Sequence, residues 1–159
     1  MMKKKLGIVV VVSMVLLFGV GICFAEMPSA DPAAIWTYIS KTSPYHQWQN
    51  WPDHQGIQKG HSPHGILHQV FVNQAGLSSA KPPAAYGTMI VKDNFNKKKE
   101  LKAITAMVKV KGYNPAAGDW FWVKYSPTGK VDKAGKPQGC IGCHAARERN
   151  DFILLHEFK

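Results

Sequence analysis

The hydrophobic pattern of this chain passes from one unbroken apolar run through a helical period to an alternating one, and ends on a second helical stretch. The apolar run fills residues 6–24. Asp31-Pro32 then reads as an N-cap followed by proline at the first helical position, with Ile35, Tyr38 and Ile39 at helical spacing. A second short helix is expected to open at Ser43-Pro44, with Tyr45, Trp48 and Trp51 on one face as core packing and Pro52 ending it. Residues 56–65, polar and rich in glycine and histidine, predict a loop. Residues 67–73 alternate with β-branched and aromatic side chains and predict a strand. One helical turn follows within residues 75–81, stopped by Pro82-Pro83. Residues 86–92 predict a second strand, 93–100 a charged turn, and 104–111 a strand that alternates as in a sheet with one wet face. The most aromatic strand is expected over residues 119–126, an exposed connection over 127–139, a helix over 139–149 and an apolar tail over 152–158. The fold class predicted is α+β, mainly β: an antiparallel sheet of about four or five strands, short helices and a C-terminal helix.

The ends of the apolar run change the picture. Lys3-Lys4-Lys5 precedes it and Cys23-Phe24-Ala25 closes it, the pattern of a signal peptide over residues 1–25 cleaved after Ala25. Export to the periplasm is expected; an uncleaved anchor is the alternative, because the run approaches the roughly 20 residues that span a bilayer. Residues 26–159 suit a single domain, with no internal repeat. Cleavage removes Cys23 and leaves Cys140 and Cys143, so no structural disulfide is expected although the compartment permits one.

Those two cysteines stand in Cys140-Ile141-Gly142-Cys143-His144, a C-x-x-C-H signature of c-type haem attachment. Two thiols three apart on one helical turn can each add to a haem vinyl group, and the adjoining histidine becomes the axial ligand of the iron. A zinc ribbon needs a second ligand pair, and the chain has no other cysteine pair. A thioredoxin-type motif belongs near a βαβ pattern rather than at the end of a chain. One covalent haem c, with His144 as proximal ligand, is therefore expected. The net charge is +10, and losing the three leader lysines leaves +7. For an exported chain this points to an acidic redox partner or an anionic membrane surface rather than nucleic acid. Lys97-Lys98-Lys99, the densest cluster, reads as a solvated loop. Strands before the motif exclude the small all-helical cytochromes and the four-helix cytochromes c′.

A sheet-rich chain ending in C-x-x-C-H resembles the cytochrome P460 family, which includes the β-type cytochromes c′. The resemblance extends from about Leu67 to Phe152. It rests on Val70-Phe71-Val72-Asn73, on residues 87–92, on Gly118-Asp119-Trp120, and on the haem motif followed by Asp151-Phe152. It implies a haem with histidine below and an open or weakly capped face above, and a tendency to form homodimers. Members of one kind oxidise hydroxylamine, with a lysine cross-linked to the porphyrin. Those of the other bind small gases such as nitric oxide under an apolar cap.

Lys92 falls where the cross-linking lysine would lie, or else is an exposed lysine at a strand end. Attack on the porphyrin requires a desolvated, deprotonated amine. The oxidisers place a carboxylate in the strand matching residues 104–107, and this chain has no acid there. Asp93 and Glu100, the nearest acids, are expected in a surface turn. The activity expected is therefore a redox haem that binds a small nitrogen-oxide or gas ligand or passes single electrons, with hydroxylamine oxidation through Lys92 as the alternative. Candidates for the sixth iron position are His61, His64, His68, Met89 and Met107. The two methionines are expected in the core, and His61 and His64 on an exposed loop. His68, at the start of its strand, is the candidate for the distal pocket.

Overall fold

The computed structural model describes residues 26–60 and 63–158. The leader expected over residues 1–25 and His61 lie outside the described residues. Six strands form one antiparallel sheet in sequence order: β1 (Gln58–Lys59), β2 (Leu67–Val72), β3 (Met89–Phe95), β4 (Leu101–Lys109), β5 (Trp120–Tyr125) and β6 (Val131–Gly135). The α-helices are α1 (Pro32–Thr37), α2 (Gln74–Leu77) and α3 (Gln138–His144). The class is the one the sequence predicts.

The sheet is covered on both faces, and alternation along each strand sends side chains to two different cores. Phe71, Met89, Val91, Ile104, Ala106, Val108, Phe121, Val123 and Tyr125 face Ile35, Ile39 and Tyr45 of the N-terminal helical segment. Asp31 caps that segment by accepting from the Ala34 amide at 2.8 Å, and the Tyr125 hydroxyl ties it to β5 by donating to the Pro32 carbonyl at 2.7 Å. The opposite face presents Val70, Val72, Ile90, Met107, Trp120 and Trp122 to Trp51, Phe152, Ile153 and Phe158. Cys140 and Ile141 of α3 pack against this second core.

Several expectations are corrected. The strand expected to have one wet face has none over Ala106–Lys109, because helices cover one side and the C-terminal segment the other. β1 and β6 fall in stretches expected to be loops; they are short or polar edge strands that bury almost nothing and leave no hydrophobic alternation to read. The helix expected from Ser43-Pro44 is one 3₁₀ turn, Tyr45–Gln47, and its aromatic stripe divides: Tyr45 and Trp48 join the first core, Trp51 the second. The C-terminal helix ends at His144 and continues as 3₁₀ turns over Ala145–Asn150.

Asp93 is also corrected. It lies inside β3, buried on the first face, where its carboxylate accepts from the Tyr45 hydroxyl at 2.6 Å and meets His46 Nε2 at 2.9 Å. β3 extends to Phe95, three residues beyond the expected end, because Asp93 has partners from the N-terminal segment. Glu100 is exposed, as expected. Replacing Asp93 with Ala strands the Tyr45 hydroxyl, and a loss of about 1–3 kcal/mol is expected in urea denaturation. A loss smaller than the noise of that measurement would show that the carboxylate does not pin the N-terminal segment.

Candidate haem site

α3 brings Cys140, Cys143 and His144 to one side of a helical turn, since residues three and four apart are helix neighbours. All three line a cavity of about 440 Å³, within the roughly 300–1,000 Å³ usual for small-molecule and cofactor sites. Its walls are the second face of the sheet (Val70, Ile90, Lys92, Thr105, Met107, Trp122, Lys124), the tail at Ile153 to Leu155, and the β1–β2 hairpin with Gly60, Pro63 and His64.

His144 is the most constrained member. Its ring is buried, packs edge-on to Trp122 with centroids 4.6 Å apart, and donates from Nδ1 to the Phe152 carbonyl at 2.7 Å. That bond fixes the tautomer and leaves Nε2 as a lone-pair donor, as in metal-binding histidines. Burial lowers the affinity of the imidazole for a proton, against the opposing pull of the Phe152 carbonyl, so the neutral ligand form is favoured.

The carbonyl is itself held by unusual backbone. Asp151 and Phe152 both take left-handed conformations, with φ of 55° and 63°. The Asp151 carboxylate is buried against Lys109 Nζ at 2.5 and 2.6 Å and accepts from the Ala84 amide at 2.9 Å. Trp120 Nε1 donates to the Asp151 carbonyl at 2.8 Å. Gly118, at φ 65°, passes so close that an added Cβ would stand 2.9 Å from the Asp151 carboxylate and 3.0 Å from the Phe152 ring. Thus Gly118, Trp120, Asp151 and Phe152 form a single support for His144.

The thiols are free, and burial pushes the Cys140 thiol up. A redox-active C-x-x-C pair has the opposite character, with a depressed thiol pKa. The remaining polar groups of the cavity fit a haem. Lys59, Lys92, Lys124 and Lys133 line it and, among the described residues, no Asp or Glu does, which suits two propionates. Trp51 and Trp122 add indole rings to its wall. The family model of cytochrome P460 matches residues 43–155. The chain belongs to the cytochrome P460 family. Membership implies a haem cofactor, and the residues around His144 fit one. A comparison with curated proteins finds no match.

The other P460 candidates divide by face and by partner. Lys92 lies on β3 facing the cavity, with no hydrogen-bond or salt-bridge partner among the described residues. Burial pulls its ammonium down to about 8, with only the nearby Cys143 thiol acting the other way. His68 is buried in the cavity wall, with Nε2 2.7 Å from His54 Nε2 and the two rings stacked. One of those nitrogens donates and the other accepts. Met89 belongs to the first core, on the far side of the sheet, whereas Met107 lines the cavity. His64, expected in solvent, instead lines the cavity, because Gly65 closes its loop against β3. His54, Lys109 and the Phe152 carbonyl carry no sequence signal of their own; only the closeness of Asp151-Phe152 to the haem motif pointed to the last.

Removing one partner of the buried Lys109–Asp151 pair strands the other charge, so Lys109→Met is expected to lose about 3–5 kcal/mol in chemical denaturation. An unchanged midpoint would mean the pair does not hold the His144 support. Lys92 sets a pH dependence. Its folded pKa lies below the ordinary 10.5, at about 8, so the folded chain binds fewer protons than the unfolded chain between those values. The resulting penalty is absent above 10.5, grows as pH falls, and is complete below 8. In the haem-free chain Lys92→Met is therefore expected to be more stable than the parent at pH 7, with the difference vanishing at high pH. Equal denaturation midpoints at both pH values would contradict this.

Proposed function

We propose that this chain is an exported monohaem c-type cytochrome that performs one-electron redox chemistry, or binds a small nitrogen-oxide or gas ligand, at an enclosed iron. The observation that carries the reading is His144: buried, neutral, locked by the Phe152 carbonyl, and one residue from a pair of free thiols on the same cavity wall. Bound there, the haem supplies a reversible one-electron couple and a site for small ligands. The chain's own residues do the rest. Cys140 and Cys143 hold the group by thioether bonds, His144 presents Nε2, and Val70, Ile90, Met107, Trp122 and Ile153 exclude water. The lysines around the cavity give the exposed side a positive field, suited to the propionates and to an acidic redox protein. Residues 1–25 direct export to the periplasm, and two copies of the chain associate as a homodimer. Among the described residues no helix is long and apolar enough to cross a membrane.

A second reading has its own observation. Lys92 faces the cavity, has no ion-pair partner among the described residues and is easily deprotonated, which is what a lysine–porphyrin cross-link in a hydroxylamine-oxidising enzyme requires. Against it stands the cavity lining, which among the described residues offers no carboxylate to act as a base. The cytochrome reading therefore takes precedence.

Two measurements separate these readings. Electron exchange with an acidic redox protein is expected to slow steeply as ionic strength rises, since screening shortens the reach of the lysine field. A rate independent of salt would remove the acidic partner. The absorption spectrum of the Lys92→Ala protein is expected to match the parent; loss of a red-shifted band, together with a return to the mass of thioether-bound haem alone, would establish the cross-link and the enzyme.

A further inference from the structure

His64 has no role in the reading so far, yet it occupies a tightly defined place. The hairpin from β1 to β2 closes through the Gly60 amide, which donates to the Ile66 carbonyl at 2.8 Å. Gly65 takes φ 86°, and an added Cβ there would meet the Phe95 carbonyl at 2.8 Å. An added Cβ on Gly60 would meet the Gly65 carbonyl at 2.6 Å. Gly65 therefore holds the hairpin close against β3 and Gly60 lets its two arms close on each other, and the imidazole of His64 between them lines the same cavity as His144.

The His64 and His144 rings lie 6.3 Å apart between centroids, with planes at 88°. Two imidazoles bound to opposite sides of one metal ion would have centroids about 6.4 Å apart, given metal–nitrogen bonds of about 2.0–2.1 Å and roughly 1.2 Å from nitrogen to ring centre. The observed separation agrees with that span. His144 Nδ1 is already committed to Phe152, so the nitrogen it can offer the metal is Nε2. His64 makes no hydrogen bond or ion pair among the described residues that would occupy its ring nitrogens.

Of the other candidates, His68 pairs with His54, and Met89 lies beyond the sheet. Met107 is in register with Trp122, whose ring packs on His144, which places it beside that histidine.

We propose that His64 is the second axial ligand of the haem iron, opposite His144, making this a bis-histidine haem. The inference rests on the haem reading above. It makes electron transfer the resting function, and a gas or nitrogen-oxide ligand binds only by displacing His64. An entering ligand's affinity is then reduced by the fraction of time the iron is free of His64.

The test uses the matured, haem-loaded protein. Its ferric form is expected to be low-spin by absorption and by electron paramagnetic resonance, with the strongly anisotropic signal of crossed imidazole planes. His64→Ala is expected to turn the iron high-spin with the haem still attached, and to bind carbon monoxide in the ferrous state at least about 100-fold more tightly if His64 is off the iron 1% of the time or less. A high-spin parent overturns the proposal, as does a His64→Ala protein that stays low-spin; loss of the low-spin signal in Lys92→Ala instead would assign the position to the lysine amine. If His64→Ala fails to fold, the near-infrared charge-transfer band of the ferric parent separates a histidine from a methionine partner, and a Lys92→Ala protein that stays low-spin excludes the amine, so a methionine-type band or a high-spin Lys92→Ala protein overturns the proposal. Chain recovered without covalent haem would overturn the haem reading itself, which the mass of the same sample shows separately.

Discussion

The bond from His144 Nδ1 to the Phe152 carbonyl is the constraint on which the site depends. It ties the motif helix to a turn that no local preference would produce, since two consecutive non-glycine residues there take left-handed backbone conformations. That turn persists because its surroundings over-determine it. A buried ion pair to β4, an indole donor from β5 and the bare backbone of Gly118 all converge on Asp151 and Phe152. The orientation of one imidazole is thereby transmitted from the middle of the sheet. A thioether-bound group anchored only by a seven-residue helix would otherwise swing with that helix.

Covering the sheet on both sides separates structural from chemical duties. The first face is covered by the N-terminal helical segment and pinned by a hydrogen-bonded Asp93. The second is closed only in part, so the same strands that are core at Val70, Ile90 and Trp122 become cavity wall at Lys92, Thr105 and Lys124. A row across the sheet runs Val70, Lys92, Thr105, Lys124, Lys133. Its cationic members have no carboxylate within the cavity, an arrangement that favours an anionic group.

Much of this was legible in the sequence because the signals were local. The C-x-x-C-H spacing needs one helical turn, the N-cap at Asp31 needs three residues, and the four long strands show their alternation directly. What was not legible depends on contacts distant in the chain. Asp93 reads as a turn residue until Tyr45, 48 positions away, supplies a donor. Lys109 looks like a solvent-facing strand lysine until Asp151 is brought 42 positions back to it. His64 sits among the loop-forming residues of a hairpin whose first strand is two residues long, so nothing in its neighbourhood reveals the cavity behind it. β6 escaped notice because its outer edge is exposed and carries Asp and Lys rather than an apolar face.

Whether Cys140 and Cys143 hold a haem is settled most directly by the intact mass of the exported protein after denaturation, read together with its pyridine haemochrome spectrum. The proposed attachment predicts one haem per chain, retained in acid and organic solvent, with the spectrum of two saturated vinyl positions. A denatured chain at the mass of its amino acids alone, with the pigment extracted into solvent, would contradict the covalent site.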